Sequence, residues 1–113
     1  METKLIFGYN EIKGYVTEDF ERFYKMNFNE RQMFPAVLDE YQFHDDFTMV
    51  ENICIHVVLA LNYIRQEWNC ADIIKKLKLL MNDETENELK LDLGNEYSDF
   101  YADYSTIMKK SSV

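Results

Sequence analysis

The sequence is poor in the residues that punctuate or cross-link a chain. Its 113 residues include three glycines, one proline and two cysteines, so it has neither the Pro/Gly/Ser-rich break of a linker nor the cysteine density of a disulfide scaffold. None of the glycines belongs to a phosphate-cradling loop. With only two histidines, His44 and His56, acid–base or metal chemistry at neutral pH is confined to two positions. Basic residues are also scarce: 12 Lys and Arg stand against 21 Asp and Glu, for a formal charge of −9. Contacts to phosphates need clustered lysine and arginine, and the one basic run, Lys75-Lys76-Lys78, is short. No direct nucleic-acid partner and no membrane partner is expected.

The most apolar stretch is Phe47 to Trp68, in which 13 of the 18 residues from Phe47 to Ile64 are apolar. Phe47, Val50, Cys54, Val57, Leu61, Ile64 and Trp68 recur at the three-and-four spacing of one helical face. Ile53, Val58 and Leu59 widen that face, which predicts a core helix covered on more than one side. Its uncharged part, Asn52 to Ile64, is 13 residues, whereas a membrane-spanning helix needs about 20. The length and composition predict one domain over residues 1–113 with its own hydrophobic core.

The flanking segments predict a mainly α fold, a small bundle of four to five helices around the central one. Residues 3–16 mix β-favouring residues with Gly8 and Gly14 and read as strand or extended arm. Thr17 reads as an N-cap, opening a helix that buries Phe20, Phe23 and Tyr24. Asn29 and Gln32 resemble a capping box, and Pro35 predicts a kink or break before Tyr41. Asp45 or Asp46 is expected to cap the core helix. Asn69 caps an amphipathic helix with Ile73, Ile74, Leu77, Leu80 and Met81 inward and the three lysines outward. Residues 82–88 read as a solvated acidic loop. Leu89-Lys90-Leu91-Asp92-Leu93 alternates with period two and predicts a short strand, able to form a two-stranded β patch with the N-terminal segment. A last helix spans Glu96 to Lys110, with Tyr97, Phe100, Tyr101, Tyr104 and Met108 on one side.

Candidate chemistry is thin. His44-Asp45-Asp46 has no partner motif for a metal, and the aspartates read as helix caps. His56, with Asn52 four residues before it and Tyr63 seven after, reads as a hydrogen-bonded structural residue on a polar stripe. Cys54 and His56 are two residues apart, so a helix points them to different faces and no thiolate–imidazole pair forms. METKLIFGYNEIK does not resemble a secretory signal peptide, so a reducing cytoplasm and free thiols are expected. The acids of 83–88 lack the apolar enclosure that raises a carboxyl pKa and the ligand spacing of a calcium loop. These features predict no enzyme and no cofactor.

The feature that remains is acid interleaved with aromatic residues. From Asp83 to Asp103 eight carboxylates oppose one lysine. Within that stretch Glu96, Tyr97, Asp99, Tyr101, Asp103 and Tyr104 alternate, and a second patch holds Asp39, Glu40, Asp45 and Asp46. Tyrosine offers stiff contact area with a polar tip, and one-signed carboxylates steer a basic partner. The pattern predicts a small acidic cytoplasmic protein that blocks a basic protein, such as a toxin or a nucleic-acid enzyme. Immunity proteins of nuclease-type bacterial toxins and phage-encoded inhibitors share that size and charge. The alternative expectation is a structural domain whose aromatic helix faces pair as a homodimer. The aromatics would also sit in the core, with the acids outside, if the spacing served packing alone.

Overall fold

A computed structural model describes the backbone of residues 7–42 and 47–111, with side chains over 7–39 and 47–110. Among the described residues six α-helices follow in order: α1 Tyr9–Lys25, α2 Glu30–Gln42, α3 Met49–Arg65, α4 Ala71–Leu80, α5 Asp83–Leu93 and α6 Tyr97–Ser111. A single 3-10 turn, Gly94–Glu96, joins α5 to α6. The mainly α bundle around an apolar helix is therefore the architecture, and among the described residues it contains no strand.

The core helix lies where the apolar density places it. Thirteen of the 17 residues of α3 are buried, far more than one stripe, because α1, α4, α5 and α6 all pack on it. Tyr9, Ile12, Val16 and Phe20 of α1 share one buried core cluster with it, as do Ile73, Ile74 and Leu77 of α4 and Phe100 and Ile107 of α6. The cap of α3 is Thr48, whose hydroxyl accepts from the Glu51 amide while Glu51 accepts from the Thr48 amide. This reciprocal pair replaces the expected Asp45 or Asp46 cap; both aspartates lie outside the described residues.

Three expectations are corrected. First, 89–93 is the last part of α5 rather than a strand, and 83–88 is its start rather than a loop. Asn82 and Thr85 form a capping box, and Asp83, Glu84 and Glu86 occupy the first turn, where carboxylates offset the positive end of the helix dipole. Leu89 and Leu93 are buried one turn apart, while Leu91 is 81% exposed. The period-two pattern arises from an exposed leucine between two buried ones, so 89–93 is not the strand expected to pair with the N-terminal segment, of which residues 3–6 lie outside the described residues.

Second, the chain is helical from Tyr9, so most of the expected arm is α1 and Thr17 lies in its interior. The spacing Tyr9, Ile12, Val16, Phe20 is that of one helical stripe. Of the expected buried trio only Phe20 is fully enclosed, Phe23 is half-buried and Tyr24 is exposed. Third, α2 continues through Pro35. Pro35 removes one amide from the ladder, but Pro35 and Arg31 are both exposed, so water can satisfy the carbonyl that loses its partner. Asn29 does cap α2, accepting from the amides of Arg31 and Gln32.

Candidate functional site

The acidic and aromatic residues of α6 alternate in sequence but separate in space. Successive helical residues are about 100° apart, so Asp99 and Asp103 fall on one flank of the buried Phe100–Ile107 stripe, joined there by Glu96 of the preceding 3-10 turn, and Tyr97, Tyr101 and Tyr104 fall on the other. The acidic flank meets the start of α1. Glu96 accepts from the Asn10 amide at 3.0 Å, and Asp99 accepts from the Asn10 side chain at 3.1 Å. Asp103 accepts from the Tyr9 hydroxyl and pairs with Lys13 at 2.9 Å.

These carboxylates perform for α1 what its own N-cap does not. Gly8 has no side chain to accept an amide, and the Glu96 carboxylate sits where a Cβ at position 8 would collide with it. Glu51, fully buried, accepts the Phe7 amide at 3.2 Å. Three of the sequence-nominated acids thus anchor α1, where negative charge at a helix N-terminus is favourable. Burial and the bond to Asp103 push the Tyr9 phenol well above its usual value.

The tyrosine flank meets α5. Tyr97 and Tyr101 rings lie 6.0 Å apart, Phe100 and Tyr104 stack at 5.9 Å, and the Lys90 ammonium sits 6.0 Å from the Tyr97 ring. Partial burial and then the nearby Glu86 carboxylate raise the Tyr97 and Tyr104 phenols. Tyr101 is 52% exposed. In the second patch, Asp39 is exposed on α2 and Glu40 belongs to the same helix, while Asp45 and Asp46, with His44, lie outside the described residues. The two patches are not brought together by any described contact.

The remaining candidates are enclosed. His56 is 5% exposed, with Nδ1 against the Asn52 carbonyl at 2.6 Å and the Phe34 ring 5.7 Å away. A carbonyl only accepts, so Nδ1 carries the proton, and Nε2 has no partner among the described residues. Burial lowers the His56 pKa, with the Lys76 charge adding to that shift. Burial likewise raises both thiols, Cys54 further through Glu51 and Glu96; both are free and both buried. These directions oppose the thiolate and the accessible base that nucleophilic catalysis uses. Among the described residues, no group of three or more His, Cys, Asp or Glu is placed to hold a metal ion, and no helix is long and apolar enough to cross a membrane.

One constellation was not legible in the sequence. Helices α1 and α3 end at the same end of the bundle, each through a left-handed residue followed by an aromatic. After α3, Glu67 takes a left-handed conformation at φ 59°, so that the Trp68 amide reaches back to the Tyr63 carbonyl at 2.9 Å and the Glu67 amide to Ile64 at 3.0 Å. This is a Schellman cap, normally closed by glycine. After α1, Asn27 adopts φ 66° and its amide bonds to Tyr24. In both, the next residue is aromatic and folds back on an aromatic of the last turn. Trp68 meets Tyr63 at 5.3 Å and Phe28 meets Phe23 at 5.4 Å.

Trp68 also contacts Tyr24 at 5.8 Å and Phe20 at 5.7 Å. Between the two caps lies a cleft of about 550 Å³ lined by Tyr24, Asn27, Phe28, Asn29, Glu30 and Trp68. Glu30 is an exposed lining residue of this cleft, its carboxylate accepting from the Asn69 amide at 3.3 Å and its carbonyl from the Tyr63 hydroxyl at 2.6 Å. Burial pushes the Tyr63 phenol up to about 12. Sequence spacing carries only the individual caps; their meeting depends on α1 and α3 lying side by side. Comparison with known proteins finds no matching family model, no similar curated protein and no similar solved structure.

Proposed function

We propose that this chain is a binding protein that works by occluding a basic protein partner, in the manner of an immunity protein for a nuclease-type toxin or a phage-encoded inhibitor, in the cytoplasm. The supporting observation is the tyrosine flank of α6 beside an acidic α5. Tyr101 stands out toward solvent between Tyr97 and Tyr104, and α5 carries Asp83, Glu84 and Glu88 at its surface. Carboxylates in water steer a cationic partner and accelerate encounter, while tyrosines provide contact area at low entropic cost. Because Glu96, Asp99 and Asp103 are engaged with α1, the steering is assigned to α5 and the contact to the tyrosines. The carboxylates occupy the partner's phosphate-binding positions, and no chemistry by this chain is needed.

The test is association kinetics against a basic protein encoded beside it, across a salt series. Replacing both Glu84 and Glu88 with lysine should slow association about tenfold at low salt. Tyr101→Ala should instead hasten dissociation. If neither rate moves, the α5–α6 face is not the binding surface.

A second reading, self-association, rests on a different observation: Leu79 is 73% exposed on α4, and Leu91 stands equally clear on α5. It predicts a homodimer indifferent to salt. A monomer in sedimentation equilibrium at high protein concentration would remove it.

A further inference from the structure

We propose that the cleft between the two aromatic caps is a site for an organic cation, an ammonium or guanidinium group held over the rings of Tyr24, Phe28 and Trp68 with Glu30 as counter-charge. Three of the six residues that line the cleft are aromatic, one is a carboxylate, and no lysine or arginine is among them. Ring faces are electrostatically negative and attract a cation within about 6 Å, tryptophan most strongly. A quaternary ammonium suits such a surface because its methyl groups pack on the rings while its charge, too diffuse to hold water tightly, is met by the π faces and the carboxylate. A divalent metal ion would need several oxygen ligands, and the cleft supplies one carboxylate. An anion would meet that carboxylate with nothing to offset it.

The rings are also held in advance of any ligand. Trp68 is fixed by the hydrogen bond its amide donates to the Tyr63 carbonyl and by ring contacts to Tyr24, Tyr63 and Phe20, and Phe28 by its contact to Phe23. The two non-glycine residues with left-handed backbone among the described residues, Asn27 and Glu67, are the ones that turn these aromatics into the cleft. A glutamate in that conformation is strained, and such strain persists where the surroundings hold a site in shape. Preorganised rings lose little freedom on binding. The inference is independent of the proposed α5–α6 surface, since it uses neither α5 nor Tyr101.

Trp68 is the only tryptophan, so its fluorescence reports on the cleft directly. The full chain is titrated with choline chloride at ionic strength matched with sodium chloride, and in parallel with 3,3-dimethylbutan-1-ol, the neutral isostere of choline. A saturable change with choline at about millimolar concentration is expected, with the neutral isostere weaker by about fivefold or more. Tyr24→Leu, at an exposed position, should weaken choline about fivefold. Glu30→Gln, which keeps an acceptor for the Asn69 amide, should weaken it about two- to fivefold. Equal binding of the isostere, no saturable change, or an unmoved midpoint in both variants overturns the proposal. Nα-acetyl-lysine and Nα-acetylarginine methyl esters in the same titration separate the sources. If either exceeds choline, the cation belongs to a protein side chain; if choline exceeds both, it is a free quaternary ammonium.

Discussion

At position 56 a titratable ring is enclosed by α3's neighbours, with one nitrogen bonded to the Asn52 carbonyl and the other without a partner among the described residues. Protonating it would place a charge in a desolvated site with Lys76 nearby, so its pKa lies below the usual 6.5. The unfolded chain then binds more protons than the folded one between that lowered value and 6.5. The stability His56 permits is fully present above pH 6.5 and is lost as pH falls through the folded pKa. Urea midpoints measured at pH 7.5, 6.5 and 5.0 should fall in that order, and His56→Leu should flatten the trend. An equally steep trend in the variant would assign the pH dependence to other groups. The sequence placed His56 on a polar stripe with Asn52, and the Asn52 bond is part of the structure. That Tyr63 instead reaches across to Glu30 follows from where α2 packs, which no local pattern encodes.

Among the elements, α5 separates what sequence period can and cannot decide. Three leucines at 89, 91 and 93 satisfy both alternation and a four-residue step, because residues 89 and 93 fit either. The deciding information lies upstream, in the Asn82–Thr85 capping box and the acids of the first turn. Leu89→Ala should cost about 2–4 kcal/mol, as for other buried leucines, whereas Leu91→Ala should change stability by less than about 0.5 kcal/mol. Chemical denaturation of the two variants checks this, and similar losses at both positions would restore a strand-like burial. Helix α1 is obscured in the sequence by the β-favouring residues mixed with Gly8 and Gly14, which read as strand or extended arm. Gly8 instead admits the Glu96 carboxylate over the first turn, and Gly14 is an exposed helical residue. Gly94 does break the chain: its positive φ of 55° ends α5, a conformation other residues rarely adopt.

For the whole molecule, the formal charge of −9 matters as a field and as a source of internal bonds. Acids that face water repel one another, while those at the start of α1 are offset by amides, a hydroxyl and Lys13. With more charge repelled than paired, raising sodium chloride from about 0.05 to 0.5 M should raise the melting temperature by about 2–4 °C through screening. A fall on adding salt would mean that the α1–α6 pairs outweigh the repulsion. Lys13→Ala should reduce that anchoring and enlarge the salt-induced rise in the same melting series.

Local sequence alone determined the helical class, the central position of 49–65 and the inward face of α4, as it did the small number of histidines and cysteines. Each follows from apolar spacing or from residue counts, which do not depend on distant neighbours. Tertiary structure decided how the charged and aromatic residues are used. Glu96, Asp99 and Asp103 became anchors because α6 runs beside an N-terminus that lacks its own cap. Tyr97 and Tyr104 were turned toward α5 by the same helical rotation, which left Tyr101 facing solvent. Trp68, Tyr24 and Phe28, far apart in the chain, share a cleft because two helices of equal length end together, each through a left-handed residue. A single segment cannot record such a coincidence of ends, since it exists only once α1 lies against α3.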